Sequence, residues 1–158
     1  MTTRDFEAQV QEIAARYPDS RSAVLPALRI AQERHDGWLP PEAFVEVADA
    51  LELTPAYCQA VASFYDMYHL APTGKHLVEV CTNLSCALAK AQEVVDAFES
   101  ELGITVGETT EDGEITFRAV ECLGGCGYAP VVAIDHRYRH HTGSTDVPAI
   151  VEELRAGS

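Results

Sequence analysis

Cys81 and Cys86 stand in the segment CTNLSC, and Cys122 and Cys126 stand in CLGGCGYAP. Four thiols in two close pairs are ligands for a soft centre: zinc, Cu(I) or an iron–sulfur cluster. Structural zinc sites favour cysteines paired on tight knuckle turns. The first pair here has four residues between its members and the second has three. That is wide for a knuckle and suits a two-iron centre in which each iron takes two thiolates. The expected division is Cys81 and Cys86 on one iron, Cys122 and Cys126 on the other. Spacing alone leaves a structural zinc-binding interaction module open as the alternative. Thioredoxin-type dithiol catalysis requires two residues between the cysteines, and neither pair has that spacing.

The surrounding residues favour a cluster. Sulfides and thiolates accept hydrogen bonds from backbone N–H groups, which tune the potential. Gly124, Gly125 and Gly127 let the backbone approach without a Cβ, although plain turn-making explains them as well. Cys86 is expected near a helix N-terminus, where the dipole favours thiolate. Other candidates are weaker. Cys58 lies among apolar residues of an expected helix and reads as a small buried hydrophobe. His136, His140 and His141 lie close enough to suggest zinc, but Arg137, Tyr138 and Arg139 among them suit a solvated strand. Phe64, Tyr65 and Tyr68 are expected to close a helical core rather than to hold a flavin. No Gly-rich phosphate-binding segment follows a strand, so no nucleotide site is expected.

Two kinds of element must position these residues. Up to about residue 72 the pattern is helical. Phe6, Val10, Ile13, Ala14 and Tyr17 recur at threes and fours. A second helix runs through Val24, Leu28 and Ala31 to Gly37, and a third opens at Pro40-Pro41. Thr54-Pro55 pairs an N-cap with a first-turn proline to open a fourth, through AYCQAVASFYDMYHL. Ala71-Pro72-Thr73-Gly74 is a breaker cluster, which sets the expected domains at 1–72 and 73–158. Beyond it, strands are expected at 76–80, 115–121 and 130–135, with HRYRHH (136–141) as a hairpin arm. A helix is expected over 87–102 with Leu88, Ala91, Val94, Val95, Phe98 and Leu102 on one side, and another from Val147 to Leu154 capped by Asp146. The fold class is therefore α+β or α/β: a helical bundle followed by a small α/β domain, with each cysteine pair in the loop leaving a strand.

The chain of 158 residues has a net charge of −14 and a pI near 4.6. Such a surface repels phosphate backbones, so nucleic acid is an improbable partner, and it suits docking on a basic partner. The bland reading is solubility. No apolar run approaches the roughly 18 residues of a membrane span. The amphipathic, acid-containing N-terminus does not read as a signal peptide, and cytoplasmic residence is the expectation. Five cysteines grouped by short spacing in such a protein point to metal or redox chemistry before a disulfide framework.

The segments RSAVLPALRIAQE (21–33), GWLP (37–40), VASFYDMY (61–68), GKHLVEVCTNLSC (74–86) and ELGITVGETTEDGEITFRAVECLGGCGYAPVV (101–132) together resemble the 24-kDa-type subunit of respiratory complex I. In bacteria this is the E-type subunit of NADH–quinone oxidoreductase. The likeness runs from about residue 10 to 154. The cysteine spacing, with about 35 residues between pairs, is similar to that of thioredoxin-like [2Fe–2S] ferredoxins. The resemblance implies a thioredoxin-like second domain holding one [2Fe–2S] cluster on Cys81, Cys86, Cys122 and Cys126. It implies a flavoprotein partner that oxidises NADH with FMN, further iron–sulfur subunits, and one-electron exchange with that flavin. The chain would then be a non-autonomous part of an oxidoreductase, with no substrate site and no membrane insertion of its own. Gamma subunits of NAD-linked hydrogenases and formate dehydrogenases share most of these motifs and are the alternative. Four thiolates on an acidic chain also predict a low potential, below that of a Rieske-type centre.

Overall fold

A computed structural model describes residues 3–157. Contacts divide the chain into two compact units, residues 1–72 and 73–158.

The first unit contains four helices: α1 (Thr3–Ala14), α2 (Val24–Arg34), α3 (Pro41–Leu51) and α4 (Pro55–Phe64). Phe6 and Val10 of α1 meet Leu28 of α2 and Val47 of α3 in a dry core. The cap expected at Thr54 is present, its side chain accepting from the Tyr57 N–H. The helix after it is shorter than the sequence predicts. Tyr65 turns extended, and the segment that follows is tied to α2 and the turn beyond it. Gln32 donates to Met67 O (3.1 Å) and accepts from His69 N (2.8 Å), and Leu39 N donates to His69 O (2.7 Å). These bonds replace the helical ones.

The aromatic expectation is corrected with it. Tyr68 closes the core, 6% exposed, with its hydroxyl on Leu25 O (2.7 Å). Phe64 is 81% exposed and Tyr65 is also at the surface.

The second unit is a four-stranded mixed sheet in the order β2–β1–β3–β4: β1 (His76–Cys81), β2 (Ile115–Val120), β3 (Val131–Ile134) and β4 (Arg137–His140). β1 and β2 are parallel, joined by a crossover through α5 (Leu84–Leu88) and α6 (Ala91–Leu102). β3 runs antiparallel to β1 and to β4. The β3–β4 turn is Asp135-His136, both at positive φ (49° and 65°), as a two-residue hairpin demands. The last helix, α7 (Val147–Ala156), packs with α6 over Val78, Phe117 and Val132. Phe98 and Phe117 stack with centroids 5.4 Å apart.

Three expectations change here. The single helix over 87–102 is two, because Lys90 takes a left-handed conformation (φ 71°). Leu88 therefore leaves the apolar stripe and is 80% exposed. Asp146 takes the N-cap position of α7 as expected, but its side chain makes no cap bond there. Its carboxylate accepts from Gly143 N (2.8 Å) and closes the preceding 3₁₀ turn, Ser144–Asp146. Tyr17, read as part of the first stripe, lies beyond the end of α1 at the surface. Among the described residues no helix is long and apolar enough to cross a membrane.

Candidate metal centre

Cys81 is the last residue of β1, paired in register with Val120 at the end of β2. The β1–β2 ladder runs one residue further, through Thr82 N to Val120 O (2.9 Å). The chain then enters α5, capped by Asn83, whose side chain accepts from Leu84 N (2.7 Å). Cys86 sits on this short helix. The chain after β2 carries Cys122 and then Cys126, which opens a 3₁₀ turn (Cys126–Tyr128) before β3. Both pairs thus lie at the same end of the sheet, Cys81 closing β1 and the other three cysteines in the segments that leave β1 and β2.

The two pairs differ in setting. Cys81 and Cys86 are 4% and 2% exposed and pack with Ala91 and Val131, with Leu123 and Ala129 at the edge. Cys122 and Cys126 are exposed. All five cysteines are free thiols. Burial pushes the Cys86 thiol above its ordinary pKa, a backbone hydrogen bond with Val131 pulls it down, and neighbouring Cys81 and Cys126 raise it. Loss of water disfavours a lone thiolate.

The second loop turns at Gly124, with φ 74°, and the Gly124 N–H donates to Cys122 Sγ (3.3 Å). At Gly125 a Cβ would come within 3.0 Å of Val131 Cγ2, the residue packed against Cys81 and Cys86. Gly125 is therefore a close-packing position, whereas a Cβ at Gly127 would meet nothing. Cys81 Sγ lies 3.9 Å from Glu121 O, a long sulfur contact between the two loops.

Cys58 is fully buried in the first unit, and its thiol is pushed up by burial. Among the described residues, no three His, Cys, Asp or Glu side chains are grouped so as to hold a single metal ion. That applies to His136, His140 and His141 and equally to the four cysteines. Sequence reasoning missed the contacts of Tyr128. Its ring stacks on His140, and its carbonyl accepts from His141 N (2.9 Å). The only signal was the nearness of an aromatic residue to Cys126.

Residues 10–155 match the family described as thioredoxin-like [2Fe-2S] ferredoxin. A Rhizobium meliloti protein, named as the second E-type subunit of NADH-quinone oxidoreductase, is 40% identical over 156 residues, 99% of this chain and 90% of that protein. The Mycobacterium bovis E-type subunit of NADH-quinone oxidoreductase is 41% identical over 151 residues. This chain spans 96% of its own length in that match but only 60% of the relative. Among solved structures, an air-oxidized NAD+-reducing [NiFe]-hydrogenase superposes with a TM-score of 0.73 at 22% identity. The match covers 85% of this chain and 23% of the hydrogenase chain, a likeness of fold.

Proposed function

This chain belongs to the thioredoxin-like [2Fe–2S] ferredoxin family, and from that premise we propose that it is the electron-transfer subunit of an NADH–quinone oxidoreductase. Its ligands are Cys81, Cys86, Cys122 and Cys126. The observation that carries this reading is the meeting of two cysteine-bearing loops at one end of the sheet.

The residues fit the group. The donors are four free thiols, two from each loop, which matches a centre of two irons with two thiolates each. The Gly124 N–H already points at a ligand sulfur. When bound, the cluster supplies one-electron storage at a potential set by its ligands, hydrogen bonds and exposure.

The chain's own residues do the rest. Val131, Ala91 and the partly buried Leu123 and Ala129 keep water from the first pair of sulfurs. The exposed second pair leaves one side open to a redox partner. In this reading the partner is a flavoprotein that takes a hydride from NADH, in a complex with further iron–sulfur subunits. The helical unit, residues 1–72, serves as the docking element. In this reading the nicotinamide is bound by the partner, and the chain acts within the assembly. Our reading keeps it in the cytoplasm and joins it to any membrane through its partners.

The hydrogenase and formate dehydrogenase alternative is less well supported. Relatives at about 40% identity over nearly the whole chain carry the quinone-reductase name, while the hydrogenase likeness is one of fold. The test is to purify the native complex through a tag on this chain and add NADH. A [2Fe–2S] signal that appears in EPR, in a complex whose other chains include a quinone-reducing module, is expected. A cluster that stays oxidised under NADH, or copurification with a nickel-containing protein, would overturn the assignment.

A further inference from the structure

We propose that the exposed strand β4 is a brace for the second cysteine loop, with Tyr138 and His140 as positioning residues for Cys122 and Cys126. The inference rests on the cluster reading above and adds residues to it.

The two halves of the site are held by different means. Cys81 ends a strand and Cys86 sits on a helix, and both are buried. Cys122 and Cys126 have neither support. They are exposed, on a loop from residue 121 to 130 whose 3₁₀ turn is three residues long. Only the partly buried Leu123 and Ala129 of this loop pack on the buried cluster; an exposed loop is costly to order, and ligand geometry depends on what holds the ligands.

β4 supplies the missing support. Its register sets Tyr138 opposite Ala133 and His140 opposite Val131, and Ala133 in turn lies opposite Glu79 of β1. Period-two alternation then puts Tyr138 and His140 on the same face of the sheet as Cys81. Arg137 and Arg139 point to the other face, where Arg139 pairs with Glu153 of α7.

From the cysteine face the contacts all reach the loop. The Tyr138 hydroxyl donates to Leu123 O (2.6 Å), next to Cys122. The His140 ring lies flat on Tyr128, two residues past Cys126, with centroids 4.4 Å apart and planes at 16°. Just beyond β4, His141 N donates to Tyr128 O (2.9 Å) and its Nδ1–H to Ala129 O (3.3 Å). Thr142 N donates to Pro130 O (3.1 Å). The strand is itself fixed by its ladder to β3. The HRYRHH segment thereby has a use: Tyr138, His140 and His141 hold the loop while Arg139 pairs with α7.

The experiment uses the full chain with its cluster assembled, comparing the parent protein with Tyr138→Phe, His140→Ala and His140→Phe. Cluster bleaching by a ferrous chelator, the EPR line shape of the reduced protein, and the thermal midpoint of the metal-free protein are measured. Tyr138→Phe and His140→Ala are expected to bleach about tenfold faster, as loss of a supporting partner of a ligand typically does, and to alter the line shape. The metal-free midpoint should shift by less than about 4 °C. His140→Phe keeps a flat ring against Tyr128 and should restore the parental rate.

Parental bleaching and line shape in both Tyr138→Phe and His140→Ala would overturn the brace. So would a fall in the metal-free midpoint large enough to account for the faster loss. A parent chain that assembles no cluster would instead defeat the reading on which the inference rests.

Discussion

Glu79 and Arg118 face each other across β1 and β2, in register, with Oε1 and Nη1 3.7 Å apart and both side chains largely buried. They lie on the face of the sheet that also carries Cys81. Removing one member weakens the charge pairing of the other at a partly buried position. Glu79→Ala is therefore expected to destabilise the protein by about 1–2 kcal/mol, while replacing both by apolar residues of similar volume is nearly neutral. Urea unfolding of the two variants checks this; equal midpoints would contradict it.

The five cysteines should divide sharply. Cys122→Ser is expected to lose or distort the visible spectrum of the assembled protein, since in the proposed ligand set it removes one member of the exposed pair. Cys58→Ser should leave the spectrum intact while lowering stability by about 1–3 kcal/mol, because it puts a hydroxyl in a dry core. Absorbance after iron–sulfur assembly, with thermal melts alongside, reads both. The opposite pattern would move the ligand set.

Neighbouring glycines should be unequal too. Gly125→Ala drives a methyl to 3.0 Å from Val131 and so presses on the packing around Cys81 and Cys86. Overpacking of this kind costs about 1–3 kcal/mol. Gly127→Ala meets no neighbouring atom, and the metal-free protein should melt as the parent does. Paired thermal melts decide it, and equal losses would show that Val131 yields freely.

Much of this was legible in the chain. The cysteine pairs, the break at Ala71-Pro72-Thr73-Gly74, and the β-α-β order follow from local signals of spacing, breakers and periodicity. What was not legible depended on partners distant in sequence. The helix through Phe64 stops because Gln32, some 35 residues earlier, satisfies the backbone at Met67 and His69. Leu88 fits the periodicity of α6 but is detached from it by the left-handed Lys90. That conformation carries no clear signal in a lysine. The β4 contacts with the second loop join residues 12–15 positions apart, and periodicity says nothing about them.

The turn before β2 should confer acid sensitivity. Asp112 accepts from the Thr110 hydroxyl and from Glu114 N (3.0 Å), and these bonds hold its pKa below the usual carboxylate value. A depressed folded-state pKa gives stability that is present above the unfolded value and is lost as pH falls through the folded one. Asp112→Asn is expected to flatten the acid limb of the stability profile, below about pH 4, and to leave the neutral region less affected. Denaturation midpoints from pH 2 to 7 provide the check. An unchanged acid limb would contradict the assignment.

The most direct test of the central claim is low-temperature EPR of the dithionite-reduced protein, read together with iron and acid-labile sulfide content. The account predicts a red-brown protein with two irons and two sulfides per chain and a single one-electron paramagnetic signal. A colourless protein that lacks sulfide and holds one zinc ion would contradict it.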